Sequence, residues 1–303
     1  MRIGIDLGGS HVGVGLIDED KIVGKVREYN FTNADRKSIE SVILSMIPEL
    51  IKSTLSDNNM KMDQIELIGI ASPGTISNGV IVKAGNLNLK NFELVNKLKE
   101  IYPSTKIILR NDGKCAALAE KKYGSLKPYD DCIFMNIGTG IGGAVFMQGK
   151  LLEPKKYSGF ELGHMVVNPV GKECTCGKRG CLEVYSSIKA LKNSICETLN
   201  IDNDISGQQL REEIIPQNVA KVGKNIGEFI LFLRVGLCNY IDIFEPEAIC
   251  FGGSFSYWDY TDLYKVLMKE INRPNTTFNG DIPKFVVASL HNDAGIVGAT
   301  IDF

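Results

Sequence analysis

The densest chemistry in the chain lies between Glu161 and Glu183, in Glu161-Leu-Gly-His164, Cys174-Thr-Cys176-Gly177 and Gly180-Cys181-Leu-Glu183. One imidazole and three thiols, separated by small and turn-forming residues, have the composition of a closed tetrahedral zinc site. The chain contains only 3 histidines and 8 cysteines, so four such groups in one short block are informative. Gly171, Gly177 and Gly180 permit the sharp turns that would bring the sulfurs together. His164, Cys174, Cys176 and Cys181 fill four vertices and leave none for water, which makes the expected zinc structural rather than catalytic. Two carboxylates, Glu161 and Glu183, bracket the cluster, so fixing the metal also fixes two acidic side chains. Reactive thiols, a disulfide or plain buried cysteines are the competing readings, and a disulfide framework suits shorter secreted chains. Cys115, Cys132, Cys196, Cys238 and Cys250 sit in apolar runs, like ordinary core residues.

A second kind of chemistry is spread along the chain in three glycine turns, at Gly8-Gly9, at Gly138–Gly143 and at Gly252-Gly253, each after an apolar strand-like run. Glycine lets backbone N–H groups converge on a phosphate without an intruding Cβ. A single such turn reads as a plain hairpin; three suggest a nucleotide. None is a Walker sequence, and none opens a dinucleotide-type βαβ unit. Asp6, beside the first turn, is suited to holding Mg²⁺ directly or through water. Asn111-Asp112 follows the run Lys106–Leu109 and precedes the helical pattern Gly113–Tyr123. It reads either as a helix cap or as a carboxylate at a strand end placed to accept a hydroxyl proton, and the two roles are compatible.

The elements that would position these groups alternate between strands and helices, which gives an α/β class. Residues 2–18 read as two strands joined at Gly8-Gly9, with Lys21–Glu28 adding a third. Ser38–Leu55 has helical spacing. Ile65–Ala71 is a strand ending in Ser72-Pro73-Gly74, Phe92–Ile101 a helix, and Lys106–Leu109 a strand. The pattern of strand, glycine turn and strand then recurs, with Cys132–Ile137 and Ala144–Met147 flanking Gly138–Gly143. Gln217–Ile243 is a long helix, Ala248–Ser254 a strand running into the third turn, Lys284–Ser289 a late strand, and Ala294–Ile301 a closing helix. The repetition predicts two similar halves around a central cleft: a smaller α/β lobe over 1–111 with the closing helix 294–303, and a larger lobe over 112–293 carrying the zinc loop.

At 303 residues, 44% hydrophobic and 23% charged, the chain has the composition of a soluble globular protein with two domains. A net charge of −2 and the lack of a basic tract argue against nucleic acid. Apolar runs such as Phe229–Leu233 are too short to span a membrane. Strand-like sequence begins within two residues of Met1, which leaves no space for a secretory leader. A cytoplasmic location is expected, and it suits thiolate ligands.

Asp6-Leu-Gly-Gly-Ser10, Asn111-Asp112-Gly-Lys-Cys-Ala-Ala-Leu-Ala-Glu120, Gly138-Thr-Gly-Ile-Gly-Gly143 and the Glu161–Glu183 block occur in the order seen in the ROK family. That family comprises bacterial sugar kinases, sugar-responsive repressors and uncharacterised members, and the similarity runs from residue 3 to about residue 300. The resemblance implies the actin-like ATPase (ribonuclease H-like) fold and transfer of phosphate from Mg-ATP to a monosaccharide. The acceptor would be the 6-hydroxyl of a hexose or N-acetylhexosamine, with glucose or N-acetylmannosamine favoured. By the same resemblance Asp112 is the general base. Gly74, Asn111, Glu161, His164 and Glu183 contact sugar, with His164 serving zinc through one ring nitrogen and sugar through the other. Asp6, Gly8, Gly9, Ser10 and His11, with Gly138, Thr139, Gly140 and Gly142, contact phosphate, and Gly252 and Gly253 lie on the adenosine side.

Three departures stand out. Ser10 replaces a commoner threonine, His11 replaces a frequent Lys or Asn, and Asn86-Leu-Asn-Leu89 resembles a sugar-side loop that usually contains proline. Asn111-Asp112-Gly113 resembles N-acetylmannosamine-phosphorylating members, whereas many glucokinases of the family have alanine at that glycine. Family members are commonly homodimers or homotetramers. The alternatives are a sugar-responsive regulator, whose helix-turn-helix would precede the strand at Ile3, or a sugar-binding protein without catalysis.

Overall fold

The computed structural model describes residues 1–19, 21–153, 160–271, 282–291 and 293–302. They form two compact units, one built on Met1–Lys127 with the C-terminal segment, the other on Pro128–Leu152 with Phe160–His291.

The first unit is organised by a five-stranded sheet. Its strands are β1 (Arg2–Leu7), β2 (His11–Asp18), β3 (Lys21–Asn30), β4 (Leu67–Ser72) and, after a small second sheet, β8 (Lys106–Asn111). The order is β3-β2-β1-β4-β8, with β4 and β8 running parallel to β1. Helix α1 (Ile39–Asp57) buries Ile39, Ile43, Ile47, Ile51 and Leu55, a stripe at every fourth position that packs with the sheet's Ile3, Ile5 and Ile70. On the helix Asp293–Ala299 the packing is tighter. A Cβ at Gly4 would lie 2.3 Å from the Ile296 carbonyl oxygen, and one at Gly69 would lie 2.0 Å from that of Ala299. Glycine therefore lets this helix rest on the sheet at backbone distance. Gly298 in turn lies against α3 (Asp112–Lys122), where its Cβ would be 1.7 Å from the Cys115 carbonyl oxygen. The expected boundary between residues 111 and 112 is displaced by this packing: α3 is clamped to the C-terminal helix, and the first unit extends to Lys127.

Between β4 and β8 lies a three-stranded antiparallel sheet absent from the sequence reading: β5 (Thr75–Ser77), β6 (Val80–Ala84) and β7 (Leu89–Phe92). Phe92 accordingly ends a strand, and the next helix, α2, spans Leu94–Ile101. The signal was present. Asn78 and Gly79 both have positive φ (48° and 77°), and Asn-Gly between apolar residues is the preferred tight hairpin turn.

The second unit repeats the first. Strands β9 (Cys132–Ile137), β10 (Ile141–Met147), β11 (Lys150–Leu151), β12 (Ala248–Gly252) and β13 (Lys284–Val287) follow the order β11-β10-β9-β12-β13. As in the first unit, the central strand pairs antiparallel with its hairpin neighbour and parallel with the strand on its other side. Helices α4 (Ile188–Leu199) and α5 (Val219–Phe244) pack beside this sheet through Leu191, Ile195, Phe229, Leu233 and Leu237. The duplication expected from the glycine turns is thus present in the strand order.

Because Gly298 meets backbone rather than a flexible side chain, Gly298→Ala is expected to cost about 1–3 kcal/mol, a loss of roughly 2–4 °C in Tm for each kcal/mol. Gly223 lies on α5 with open space around its Cα, so Gly223→Ala should raise Tm slightly through helix propensity. Differential scanning calorimetry of the two variants checks both signs.

Candidate functional site

In the first unit the phosphate-type turn joins β1 to β2, closed by a 2.9 Å hydrogen bond from the Gly8 N–H to the His11 carbonyl. The imidazole of His11 lies under the turn, where a Cβ at Gly8 would be 2.7 Å from its Cε1. Its Nε2 is 3.3 Å from Asp6 Oδ2. That hydrogen bond to Asp6 raises the His11 pKa above the ordinary value, against the opposing effect of burial and with further help from the Asp6 and Glu28 charges. The turn therefore carries a histidine biased toward its cationic form beside the carboxylate expected to hold Mg²⁺.

Asn111 and Asp112 sit where β8 becomes α3. Asn111 is the helix N-cap: its Oδ1 accepts from the Lys114 N–H at 3.3 Å, while its Nδ2 donates to the Gly74 carbonyl at 3.1 Å. Gly74 has φ +90°, and a Cβ there would lie 2.2 Å from the Lys83 carbonyl oxygen and touch Ala84. The cap reading is therefore correct for Asn111 and leaves Asp112 free for another role. The Asp112 carboxylate accepts from the Gly113 N–H at 2.8 Å. Burial nevertheless pushes its pKa up to about 6; the Gly113 amide opposes this and the Asp6 charge adds to it. A desolvated carboxylate titrating near neutrality is suited to taking and releasing a proton.

In the second unit the turn is shorter than expected. Ile141 and Gly142 already belong to β10, which leaves Gly138, Thr139 and Gly140 as the turn, closed by a 2.9 Å bond from Gly138 N–H to the Gly140 carbonyl. Gly252 ends β12, and Gly253, with φ +67°, opens a 3₁₀ helix rather than a hairpin. The Ser254 hydroxyl donates to the Ile137 carbonyl at 3.4 Å, so these two turns lie side by side. Glu183 joins the same neighbourhood: its Oε2 accepts from the Ile141 N–H at 2.8 Å, and a Cβ at Gly140 would lie 2.4 Å from that oxygen.

Glu183 also follows the thiol cluster. The ligand atoms of His164, Cys174, Cys176 and Cys181 all lie within 4.8 Å of one another. His164 Nδ1 is 3.6 Å from Cys174 Sγ, and Cys176 Sγ is 3.6 Å from Cys181 Sγ. Zinc bonds of about 2.3 Å to sulfur and about 2.1 Å to nitrogen give tetrahedron edges of roughly 3.5–3.8 Å, so the donor set fits that ion. Burial, then the neighbouring thiols, push Cys181 up to about 12. Cys176 is instead lowered, chiefly by the Lys178 backbone N–H, so the thiolate form is favoured at one corner of the cluster and opposed at another. Gly180 (φ +75°), whose Cβ would lie 1.6 Å from the Asn168 carbonyl oxygen, and Gly177 (φ +91°) make the required turns. With Nδ1 facing the sulfurs, Nε2 is the ring nitrogen left for a second role. Glu161 is exposed at the start of the 3₁₀ turn Leu162–His164, whose Leu162 carbonyl accepts from the buried Tyr240 hydroxyl.

The ROK family model matches residues 2–301. The glucokinase of Thermotoga maritima is 31% identical, covering 98% of this chain and 95% of that protein. The xylose repressor of Caldicellulosiruptor bescii is 26% identical over 98% of this chain and 76% of the repressor. A Streptomyces griseus ROK glucokinase, solved in complex with glucose and AMPPNP, superposes with a TM-score of 0.77 at 23% identity, covering 98% and 97% of the two chains. The chain belongs to the ROK family. The two sheets of matching strand order are the duplicated actin-like ATPase architecture of its ROK relatives.

Within this ROK chain, Asp6, Gly8, Gly9, Ser10, His11, Gly74, Asn111 and Asp112 lie in the first unit. Gly138, Thr139, Gly140, Gly142, Glu161, His164, the three thiols, Glu183, Gly252 and Gly253 lie in the second. Sequence reasoning missed Tyr240, which is indistinguishable on α5 from any core aromatic. It also missed Arg36, a basic residue beside Lys37 whose terminal nitrogens bond two backbone carbonyls.

Because the Asp112 pKa is raised, the folded protein binds more protons than the unfolded chain between pH about 4 and 6. This contribution to stability is fully present below about pH 4 and is lost as pH rises through 6. Asp112→Asn keeps the acceptor for Gly113 and removes the charge. The variant should therefore melt several degrees above the parental protein at pH 7.5 and show no such gain at pH 4. Equal melting differences at the two pH values would contradict the desolvated carboxylate.

Proposed function

We propose that this ROK protein is a cytoplasmic, ATP-dependent sugar kinase. It transfers a phosphoryl group from Mg-ATP to a hydroxyl of a hexose or N-acetylhexosamine, with the 6-hydroxyl of glucose or N-acetylmannosamine the favoured acceptor. The observation that carries this reading is the desolvated Asp112 carboxylate, with a pKa near 6, beside the Asp6–His11 phosphate turn. The near full-length likeness to a glucokinase supports it.

Phosphoryl transfer depends chiefly on positioning and charge stabilisation. Asp112 accepts the proton of the attacking hydroxyl. Asn111 holds the sugar and, through its cap and its bond to Gly74, fixes the start of α3. Backbone N–H groups at Gly8–Ser10 and Gly138–Gly140 receive phosphate oxygens, Asp6 serves Mg²⁺, and the cationic form of His11 offsets phosphate charge. Gly252 and Gly253 lie on the adenosine side. His164, Cys174, Cys176 and Cys181 hold a structural Zn²⁺, which stiffens the loop that presents Glu161, His164 Nε2 and Glu183 to sugar hydroxyls. A second reading, a sugar-responsive regulator, is favoured by the likeness to a xylose repressor.

A coupled assay of ATP against glucose, N-acetylmannosamine, N-acetylglucosamine, allose and fructose separates the two readings, with kcat/KM ranking the sugars. Asp112→Asn should lower kcat by roughly 10²- to 10⁴-fold; near-parental turnover would remove Asp112 from the base role, and no transfer to any sugar would leave the regulator. Cys176→Ser should lower zinc content, measured by atomic absorption. It should also raise the sugar KM, since misplacement by about 1 Å can cost ~10²-fold. An unchanged sugar KM in folded, zinc-free protein would break the link between the metal and the sugar ligands.

A further inference from the structure

Arg36 lies in the 3₁₀ turn Asp35–Lys37, outside every segment singled out by the sequence. Its two terminal nitrogens reach two different loops. Nη1 donates to the Asn86 carbonyl at 3.0 Å, and Nη2 donates to the Gly9 carbonyl at 3.1 Å. The contact is reinforced directly, because the Asn86 side-chain amide packs on Gly9, where an added Cβ would lie 2.9 Å from Nδ2. The turn that delivers Arg36 is itself pinned: Asp35 Oδ2 accepts from the Thr32 N–H at 2.7 Å, the Thr32 hydroxyl at 2.9 Å and the Tyr29 hydroxyl at 3.0 Å.

Both carbonyls belong to loops that matter. Gly9 is the middle of the Gly8–Ser10 phosphate turn. Asn86 follows β6, whose last residue, Ala84, packs on Gly74, and the Gly74 carbonyl accepts from Asn111 beside Asp112. A continuous set of contacts therefore runs from Gly9 through Arg36, Asn86, Ala84 and Gly74 to the Asn111–Asp112 corner, all within the first unit. The 85–88 segment is a short 3₁₀ turn anchored by the buried Leu87, with open space around Gly85 and a left-handed Asn88 at φ 52°. A planar guanidinium can satisfy two carbonyls at once in fixed geometry, whereas a lysine ammonium is a single point charge on a flexible stem.

We propose that Arg36 is a positioning residue that locks the phosphate turn to the 85–88 loop and so couples nucleotide binding to sugar binding. This rests on the kinase reading above. Phosphate seated on the Gly8–Ser10 turn fixes the Gly9 carbonyl, Arg36 passes that order to Asn86, and the wall beside Asn111 and Asp112 is ordered before sugar arrives. By linkage the effect is reciprocal.

The test is calorimetric titration of the full chain with its best sugar from the five-member panel, with and without saturating AMPPNP. In the parental protein the ratio of the two sugar Kd values should differ from one by about fivefold or more, the usual range of site-to-site coupling. In Arg36→Met and in Arg36→Lys it should fall to within about twofold, with Tm and the affinity for sugar alone close to parental. A merely structural arginine would weaken both titrations equally and leave the ratio unchanged, and that result overturns the proposal. So does a parental ratio of one. A parental protein that binds neither ligand sinks the kinase reading, and the coupling with it.

Discussion

Desolvation of one carboxylate, Asp112, sets the chemistry of the corner where β8 becomes α3. Asp112 lies at the first turn of α3, where an N-terminal helix position and the Gly113 amide would ordinarily hold a carboxylate low. Burial and the nearby Asp6 outweigh both. The helix that carries Asp112 is held by backbone-distance packing: Gly4 and Gly69 let the C-terminal helix settle onto the sheet, and Gly298 lets it lie against α3 at Cys115. Folding free energy is thereby spent holding an acid where it is least comfortable, which is typical of a site that must move a proton.

A second constraint acts in the other unit and uses different physics. Three thiols and an imidazole are drawn together by turns that only glycine makes without strain at Gly177 and Gly180, where Gly180 is also pressed against the Asn168 carbonyl. Such a cluster is electrostatically unfavourable when ionised and unaccompanied, and its edge lengths suit a tetrahedral cation. Glu183 ties the end of this block to the glycine turn of the same unit through the Ile141 amide. In the second unit, then, a residue expected on the sugar side accepts a backbone hydrogen bond from the end of the glycine turn expected on the phosphate side.

The parts legible in the sequence were those with strong local chemistry. Apolar strands ending in glycine turns exposed the duplication, four-residue apolar spacing exposed α1, and the composition of residues 161–183 exposed the thiol cluster, because in each case the residue type itself makes the demand. The 75–92 sheet was missed because its strands are only three to five residues long, too short for alternation to register, although Asn78-Gly79 marked one of its turns. The unit boundary was misplaced because the partner of α3 is a helix far away in sequence, and only the close approach at Gly298 reveals it. Arg36 carried no local signal: its role depends on two carbonyls that lie near it only after folding.

The pH dependence of kcat/KM for the preferred sugar, at saturating Mg-ATP, tests the role of Asp112 most directly. A desolvated base with pKa near 6 requires activity to rise about tenfold per pH unit below 6 and to level off above it. A profile that is flat from pH 5 to 7, or that falls as pH rises, would contradict a buried carboxylate accepting the hydroxyl proton.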